Sequence, residues 1–172
     1  MTKNRIKVGD KAPLFKKDSY NAGIIDLEKI IGDQKIVLIF SRYFGCPLCQ
    51  LDLNILLENV QKIRDTGAKL LYITQSGEKI TNEFINKYQI DFPVISSTKE
   101  ELYSEYGLGM MTAGTFTKVR SKLKEAISRG IKHGEYEGWE KQEPGQFVID
   151  ENGIIIHAEN GWLFLPGIFE VL

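Results

Sequence analysis

Apolar residues along the chain fall into two patterns, short continuous runs and stripes at helical spacing. Residues 35–41 form a continuous run rich in β-branched and aromatic side chains, which is typical of a strand buried on both faces of a parallel sheet. Between residues 51 and 63, apolar positions recur at helical spacing among charged ones, and this predicts a helix. Pro47 suits its first turn, where the missing N–H costs nothing, and Gly67 is placed to end it.

A second buried strand is predicted over residues 69–74, directly after this helix. Strand, helix and strand at this connection length form a right-handed βαβ unit. Beyond that unit the pattern predicts three shorter elements, which are a helix over residues 80–88, a strand over residues 92–95 and a helix over residues 102–106 ended by Gly107.

The C-terminal part of the chain predicts an antiparallel hairpin. Residues 146–150 and 154–158 are strand-like runs on either side of an Asn-Gly pair, and a small helix is expected near residues 168–172. A parallel half followed by an antiparallel hairpin is the thioredoxin plan. We therefore expect a single α/β domain over residues 1–172, with a thioredoxin-like fold and a central mixed sheet flanked by helices.

Two apolar patterns leave alternatives open. An inserted amphipathic helix over residues 117–132, before the hairpin, has a basic outer face that is either solvated or a docking surface for an acidic partner or anionic substrate. Its apolar positions lie four residues apart, at Val119, Leu123, Ile127 and Ile131. An apolar tail either caps the core or forms a homodimer face, and comprises Trp162, Phe164, Leu165 and Phe169.

Composition excludes several classes of function. The chain has 172 residues, of which 42% are hydrophobic and 26% charged, as in ordinary globular proteins. Its formal net charge of −1 gives no general attraction to nucleic acid or anionic membranes. No apolar run approaches the roughly 20 residues of a membrane span, and the polar N-terminus lacks the apolar region of a signal peptide. We expect a cytoplasmic protein that binds neither nucleic acid nor membrane.

The chemistry is expected at Cys46 and Cys49, the two cysteines of the chain, which lie at the predicted junction of strand and helix. Free backbone N–H groups and the macrodipole at a helix N-terminus stabilise a thiolate, and can lower a cysteine pKa from ~8.5 to roughly 3.5–7.5. Cys46 is therefore predicted to be the nucleophile and the more exposed, more acidic thiol. Cys49, one turn deeper on the same face, can attack an oxidised Cys46.

Two other interpretations of the cysteine pair stay open, a metal site and a merely structural pair. A structural zinc ion usually takes four ligands, and His133 and His157 are the further soft donors of the chain. A histidine in a strand is more often packed or on the surface, and one after a basic helix is more often solvated. We expect no metal ion and no organic cofactor.

Pro144 immediately precedes the first strand of the hairpin. Thioredoxin-like proteins place a cis-proline there, facing the dithiol, so that the adjacent backbone can pair with an extended thiol substrate. We therefore predict a cis peptide bond at Pro144 and assign Pro144, Gly145 and Tyr43 to substrate binding. The alternative is a proline that ends a loop before an edge strand.

The segment 41–49, Ser-Arg-Tyr-Phe-Gly-Cys-Pro-Leu-Cys, resembles the peroxiredoxin-like branch of the alkyl hydroperoxide reductase/thiol-specific antioxidant superfamily. The resemblance continues through residues 9–13, the basic inserted helix and residues 145–153, so it covers most of the chain. It implies that Cys46 is the peroxidatic cysteine and Cys49 the resolving cysteine.

The segment also departs from typical peroxiredoxins. Those have a proline seven residues and a threonine three residues before the reactive cysteine, where this chain has Ile39 and Tyr43. An arginine that they carry just before the late strand is replaced near Pro144, and Arg42 is expected to stabilise the thiolate and polarise a peroxide in its place. The branch usually has an arginine after the second cysteine, where this chain has Gln50.

Three functions follow from these observations. The first is a thiol-dependent peroxidase that reduces hydroperoxides and is restored by a thioredoxin-like or other dithiol reductant. The second is a thiol–disulfide oxidoreductase that acts on protein disulfides, which the missing proline and threonine favour. The third is a non-enzymatic redox-sensing or partner-binding module that uses the disulfide as a switch and the basic helix as the docking face.

Overall fold

A computed structural model describes residues 4–98 and 101–172 of the chain. Its strands are β1 (Lys16–Asp18), β2 (Ile24–Asp26), β3 (Ile36–Phe40), β4 (Lys69–Thr74), β5 (Val94–Ser96), β6 (Gly145–Ile149) and β7 (Ile155–Asn160). Its helices are α1 (Leu27–Ile30), α2 (Pro47–Asp65), α3 (Glu78–Tyr88), α4 (Glu101–Glu105), α5 (Ala113–Thr117), α6 (Val119–Ser128) and α7 (Leu165–Phe169).

Strand β3 lies at the centre of a five-stranded sheet in the order β5-β4-β3-β6-β7. The strands β3, β4 and β5 run parallel, whereas β6 pairs antiparallel with both β3 and β7. The predicted central mixed sheet flanked by helices is therefore confirmed. A separate antiparallel pair joins β1 to β2.

The two faces of β3 belong to two different hydrophobic cores. Ile36, Leu38 and Phe40 pack into one cluster, while Val37 and Ile39 pack into the other, against the apolar side of α2. Because successive side chains of a strand point to opposite faces, a strand between two cores must be apolar at every position. This explains the continuous apolar run in the sequence.

Helix α2 begins and ends where the sequence predicts. Pro47 is its first residue, and Gly67 follows its end with a φ of 79°, a conformation that glycine adopts at little steric cost. No helix within the described ranges, α2 included, is both long and apolar enough to cross a lipid bilayer. Residues 41–46 connect the carboxyl end of β3 to α2, and they carry most of the candidate site.

The inserted segment differs from its prediction. Two helices, α5 and α6, replace a continuous helix over residues 117–132, and α6 packs on α2. Ala126 is fully buried, whereas Leu123 and Ile127 are 38% and 65% exposed. Four residues of an α-helix advance about 40° beyond a full turn, so an apolar stripe with strict four-residue spacing drifts away from the buried face.

The apolar tail caps the core, which is one of the two alternatives left open by the sequence. Trp162 and Leu165 are buried, and Phe169 packs against the core cluster on the α2 side of the sheet. Phe164 is half exposed.

Candidate active site

Cys46 is the N-cap residue of α2, and Cys49 lies in its first turn. Both are free thiols, and both are buried, with exposed fractions of 2% and 3%. The exposed fractions of the two thiols are nearly equal, so the expected greater exposure of Cys46 is not observed. Cys46 is buried in a cluster with Tyr43, Met111 and Trp162.

The two thiols nevertheless differ in acidity in the predicted direction. The Cys49 thiol donates a hydrogen bond to Cys46 Sγ, and this is the main reason why the pKa of Cys46 falls to about 6. The positive charge of Arg42 and the backbone N–H groups of Leu48 and Cys49 lower it further, against the opposing effect of burial. Burial, together with the bond given to Cys46, raises the pKa of Cys49. Cys46 is thus the better nucleophile at neutral pH.

Arg42 is buried beside the dithiol and is not a surface charge. Strand β3 ends at Phe40, so Arg42 is free of the strand alternation, and its side chain is only 7% exposed. The guanidinium carbon lies 5.5 Å from the centre of the Tyr43 ring and 5.8 Å from that of Trp162. One terminal nitrogen lies 3.5 Å from a carboxylate oxygen of Glu140.

One donor of Arg42 has no protein partner. Its Nε atom is buried and makes no hydrogen bond. Among the described residues, one other buried side-chain atom is unpaired in the same way, Nε2 of His157. Buried donors are nearly always paired, because an unpaired one costs free energy. A donor left unpaired in a reactive site is available to an oxygen atom of a substrate.

Tyr43 belongs to a polar cluster with Glu140 and His133. Its hydroxyl donates to the Glu140 carboxylate and lies 3.3 Å from Nε2 of His133. Burial and the Glu140 carboxylate raise the pKa of Tyr43, so the hydroxyl stays protonated. Sequence reasoning missed Glu140, because it lies in an irregular segment 97 residues beyond Tyr43 and no motif marks it.

A segment after α6 runs beside the start of α2, and we call residues 130–142 the strap. The Gly134 amide donates to the Gly45 carbonyl at 2.8 Å, and the Gln50 side chain donates to the carbonyl of Lys132 at 3.1 Å. Further along, the Glu137 carboxylate accepts hydrogen bonds at the start of α3. The strap itself is largely exposed, while Cys46, next to its contact at Gly45, is buried.

Pro144 lies beside the dithiol, but without the predicted cis bond. All described peptide bonds are trans, so that prediction is wrong. Pro144 and Gly145 line a small cavity together with Cys49. The Pro144 carbonyl accepts a hydrogen bond from Gly161 at 2.8 Å, and Gly145 pairs within the sheet, so neither presents a free backbone edge to an extended substrate.

The two histidines do not complete a metal site with the cysteines. Across residues 4–98 and 101–172, no three side chains of the histidine, cysteine, aspartate and glutamate types are grouped to hold a metal ion. His133 is exposed and stacks on Tyr136 with 4.0 Å between ring centres. His157 is half-buried in β7, where burial lowers its pKa.

A mixed sheet with an acidic cysteine at a helix N-terminus and a second cysteine one turn later defines a thioredoxin-fold dithiol protein. Within that class the chain belongs to the AhpC/TSA family, whose model matches residues 8–158.

Two kinds of relative resemble the chain. A putative peroxiredoxin, bcp, from Coxiella burnetii is 25% identical over 150 residues, which are 87% of this chain and 85% of that protein. The thiol-disulfide oxidoreductase ResA from Oceanobacillus iheyensis is 20% identical over 138 residues, which are 77% of this chain and 71% of that protein. The relatives therefore support thiol oxidoreductase chemistry of either kind.

Solved structures of both kinds of protein share the fold of this chain. The peroxidoxin BcpB from Mycobacterium tuberculosis superposes with a TM-score of 0.68 at 15% identity, covering 91% of this chain and 87% of that one. A putative thiol:disulfide interchange protein, DsbE, from Chlorobium tepidum gives a TM-score of 0.65 at 18% identity, covering 96% and 94%.

Proposed function

We propose that the chain is a thiol-dependent peroxidase that reduces hydroperoxides through a Cys46–Cys49 dithiol/disulfide cycle. The observation that carries this proposal is the unpaired, buried Nε donor of Arg42 beside the acidic Cys46. A thiolate next to an unused cationic donor provides both a nucleophile and a group that can hold a peroxide oxygen.

In the proposed first step, the Cys46 thiolate attacks the distal oxygen of the hydroperoxide. The O–O bond breaks, Cys46 becomes a sulfenic acid, and the alkoxide takes up a proton and leaves as an alcohol. Cys49 then condenses with the sulfenic acid, which forms the disulfide and releases water. A thioredoxin-like or other dithiol reductant restores both thiols, and the cycle requires no metal or organic cofactor.

Burial of the reduced dithiol supports a small substrate over a protein disulfide in the oxidising half of the cycle. A hydroperoxide is small enough to reach a buried thiolate, whereas a protein disulfide must bring its own sulfur into line with Cys46 Sγ. Such an approach needs the strap displaced from Gly45, to which it is hydrogen-bonded. The backbone beside Pro144, where an extended substrate would pair, is already occupied by Gly161.

A second candidate is a thiol–disulfide oxidoreductase. The Tyr43 hydroxyl stands where typical peroxiredoxins carry threonine, and it is already engaged by Glu140 instead of being free for peroxide. The likeness to ResA supports the same alternative. In this case the strap would open to admit a protein partner.

One comparison separates the candidates. The second-order rate of sulfenic acid formation by hydrogen peroxide is measured in Cys49→Ser, which stops at that stage, by trapping with dimedone. Reduction of insulin disulfides by the parent protein is measured beside it. A peroxidase forms sulfenic acid far faster than a free cysteine does and reduces insulin poorly. Peroxide reactivity no greater than that of free cysteine, with efficient insulin reduction, would overturn the proposal.

A further inference from the structure

Cys49 shares a small cavity with a carboxylate. The cavity measures about 20 Å³, and Cys49, Asp52 and Tyr72 are among its lining residues. Such a volume is enough for one water molecule where polar groups line it. Asp52 lies one turn beyond Cys49 on α2, so both side chains project from the same side of the helix.

Asp52 is held by groups from two other parts of the fold. Its Oδ1 atom is paired with the ammonium of Lys122 from α6, and both side chains are mostly buried, at 13% and 16% exposed. Its Oδ2 atom accepts a hydrogen bond from the Leu163 amide at 3.0 Å. The other titratable groups that act on it electrostatically are Glu125 of α6 and Tyr72 of β4.

A buried carboxylate beside a buried thiol matters because Cys49 must lose its proton during disulfide formation. Burial raises the pKa of Cys49, so a free thiolate there is costly. Burial also raises the pKa of Asp52, and this rise brings the carboxyl group closer to the range needed for proton exchange at working pH. The positive charge of Lys122 opposes the rise.

We propose that Asp52, paired with Lys122 of the inserted helix, takes the proton of Cys49 through their shared cavity when the disulfide forms, and returns it on reduction. The inference rests on the dithiol cycle, which the peroxidase and the oxidoreductase candidates share. The Cys49 S–H bond breaks, its electron pair forms the S–S bond to Cys46, and the group carried by Cys46 leaves. When that group is hydroxide, it takes up a proton and departs as water. On reduction the S–S electron pair stays on Cys49, which recovers its proton from Asp52.

The step can be isolated with the aromatic disulfide DTNB. Cys46 attacks this reagent, one nitrothiobenzoate leaves, and a mixed disulfide remains on Cys46. Attack by Cys49 then releases a second nitrothiobenzoate, whose absorbance reports the rate of that step alone. No peroxide takes part, so failure of the peroxidase proposal leaves this test intact.

Asp52→Asn should slow release of the second nitrothiobenzoate by roughly 100-fold, in the range of a lost general base, while the first release keeps its rate. In the parent the second step speeds up as pH rises through the pKa of Asp52, and Asp52→Asn should lose that inflection. Lys122→Gln keeps the carboxylate but removes the charge that lowers its pKa, so the inflection should move to higher pH with the plateau retained.

Glu58→Gln is the matched control. Glu58 pairs with Arg129 at 3.0 Å, which also links α2 to α6, but on the exposed surface and away from the residues lining the cavity. It should leave both rates and the inflection unchanged. The proposal is overturned if Asp52→Asn keeps the parent rate and profile. Where that variant fails to fold, an unshifted inflection in Lys122→Gln overturns it equally.

Discussion

The carbonyl oxygen of Glu135 lies so close to Gly45 that a β-carbon on Gly45 would stand 2.0 Å from it. The residue directly before Cys46 is therefore in contact with the backbone of the strap. Any side chain at position 45 forces the two segments apart, and the strap is the more exposed and less packed of the two.

Gly45→Ala should expose Cys46. The strap has to move away from Gly45, and the hydrogen bond between Gly134 and the Gly45 carbonyl is expected to lengthen or break. Alkylation of Cys46 by iodoacetamide at pH 7 should become several-fold faster. Gly77→Ala is a suitable control, since a β-carbon at Gly77 meets only the Glu137 side chain, at 3.5 Å. Equal alkylation rates in Gly45→Ala and the parent would show that the strap does not shield Cys46.

The acidity of Cys46 should depend mainly on the Cys49 thiol. Alkylation of Cys46 in the parent should rise with pH through a midpoint of about 6, because the reactive species is the thiolate. Cys49→Ala removes the donated hydrogen bond and should move this midpoint to higher pH. Cys49→Ser keeps an O–H donor and should move it less. The reverse order of the two variants would show that the bond is not the main cause.

Arg42→Met should raise the pKa of Cys46 and slow its oxidation by hydrogen peroxide. The substitution removes the positive charge that favours the thiolate, together with the unpaired Nε donor. The thermal midpoint should change little, because methionine fills similar space without leaving a buried donor unpaired. Arg42→Lys keeps the positive charge but lacks the several N–H donors of the guanidinium group. It should therefore change the pKa of Cys46 less than it slows oxidation by peroxide. A parent-like pKa and oxidation rate in Arg42→Met would remove Arg42 from the proposed mechanism.

Glu137→Gln should loosen the far end of the strap. The carboxylate accepts hydrogen bonds from Ser76 Oγ at 2.6 Å and from the Gly77 amide at 2.9 Å, and an amide can replace only one of these acceptors well. We expect a loss of roughly 1 kcal/mol in the free energy of unfolding, and faster proteolysis within the strap. Urea unfolding and limited proteolysis measure the two effects. Cleavage that accelerates equally outside the strap would point to general destabilisation instead.

The sequence was sufficient to predict the sheet and the dithiol because both depend on local pattern. The run around Leu38 has the composition of a doubly buried strand, and Pro47 marks the helix start whatever surrounds it. The position of the strap beside Gly45 could not be predicted in the same way. It depends on contacts of Gly45 and Gln50 with residues more than 80 positions away, in a segment without periodicity.

Two errors at the candidate site have physical causes of the same kind. Pro144 was assigned a cis bond from its place before β6, but the bond is trans. In an ordered loop the tertiary context selects the isomer, and local sequence does not show that context. The buried face of α6 was predicted from apolar residues at four-residue spacing, which placed Lys122 on the solvated side. In the structure Lys122 is mostly buried and pairs with Asp52 of α2. A buried ion pair between two helices leaves no signature in the pattern of either helix alone.

The attachment of the strap determines how readily this segment opens locally. Its ends continue into α6 and into the segment before β6, while its middle is held by single polar contacts and little apolar packing. Segments of this kind open at a small fraction of the free energy needed to unfold a core. The amide hydrogens of Gly134 and Trp139 should therefore exchange with deuterium long before those of Leu38 and Ile39, because the central strand opens only when the whole sheet does.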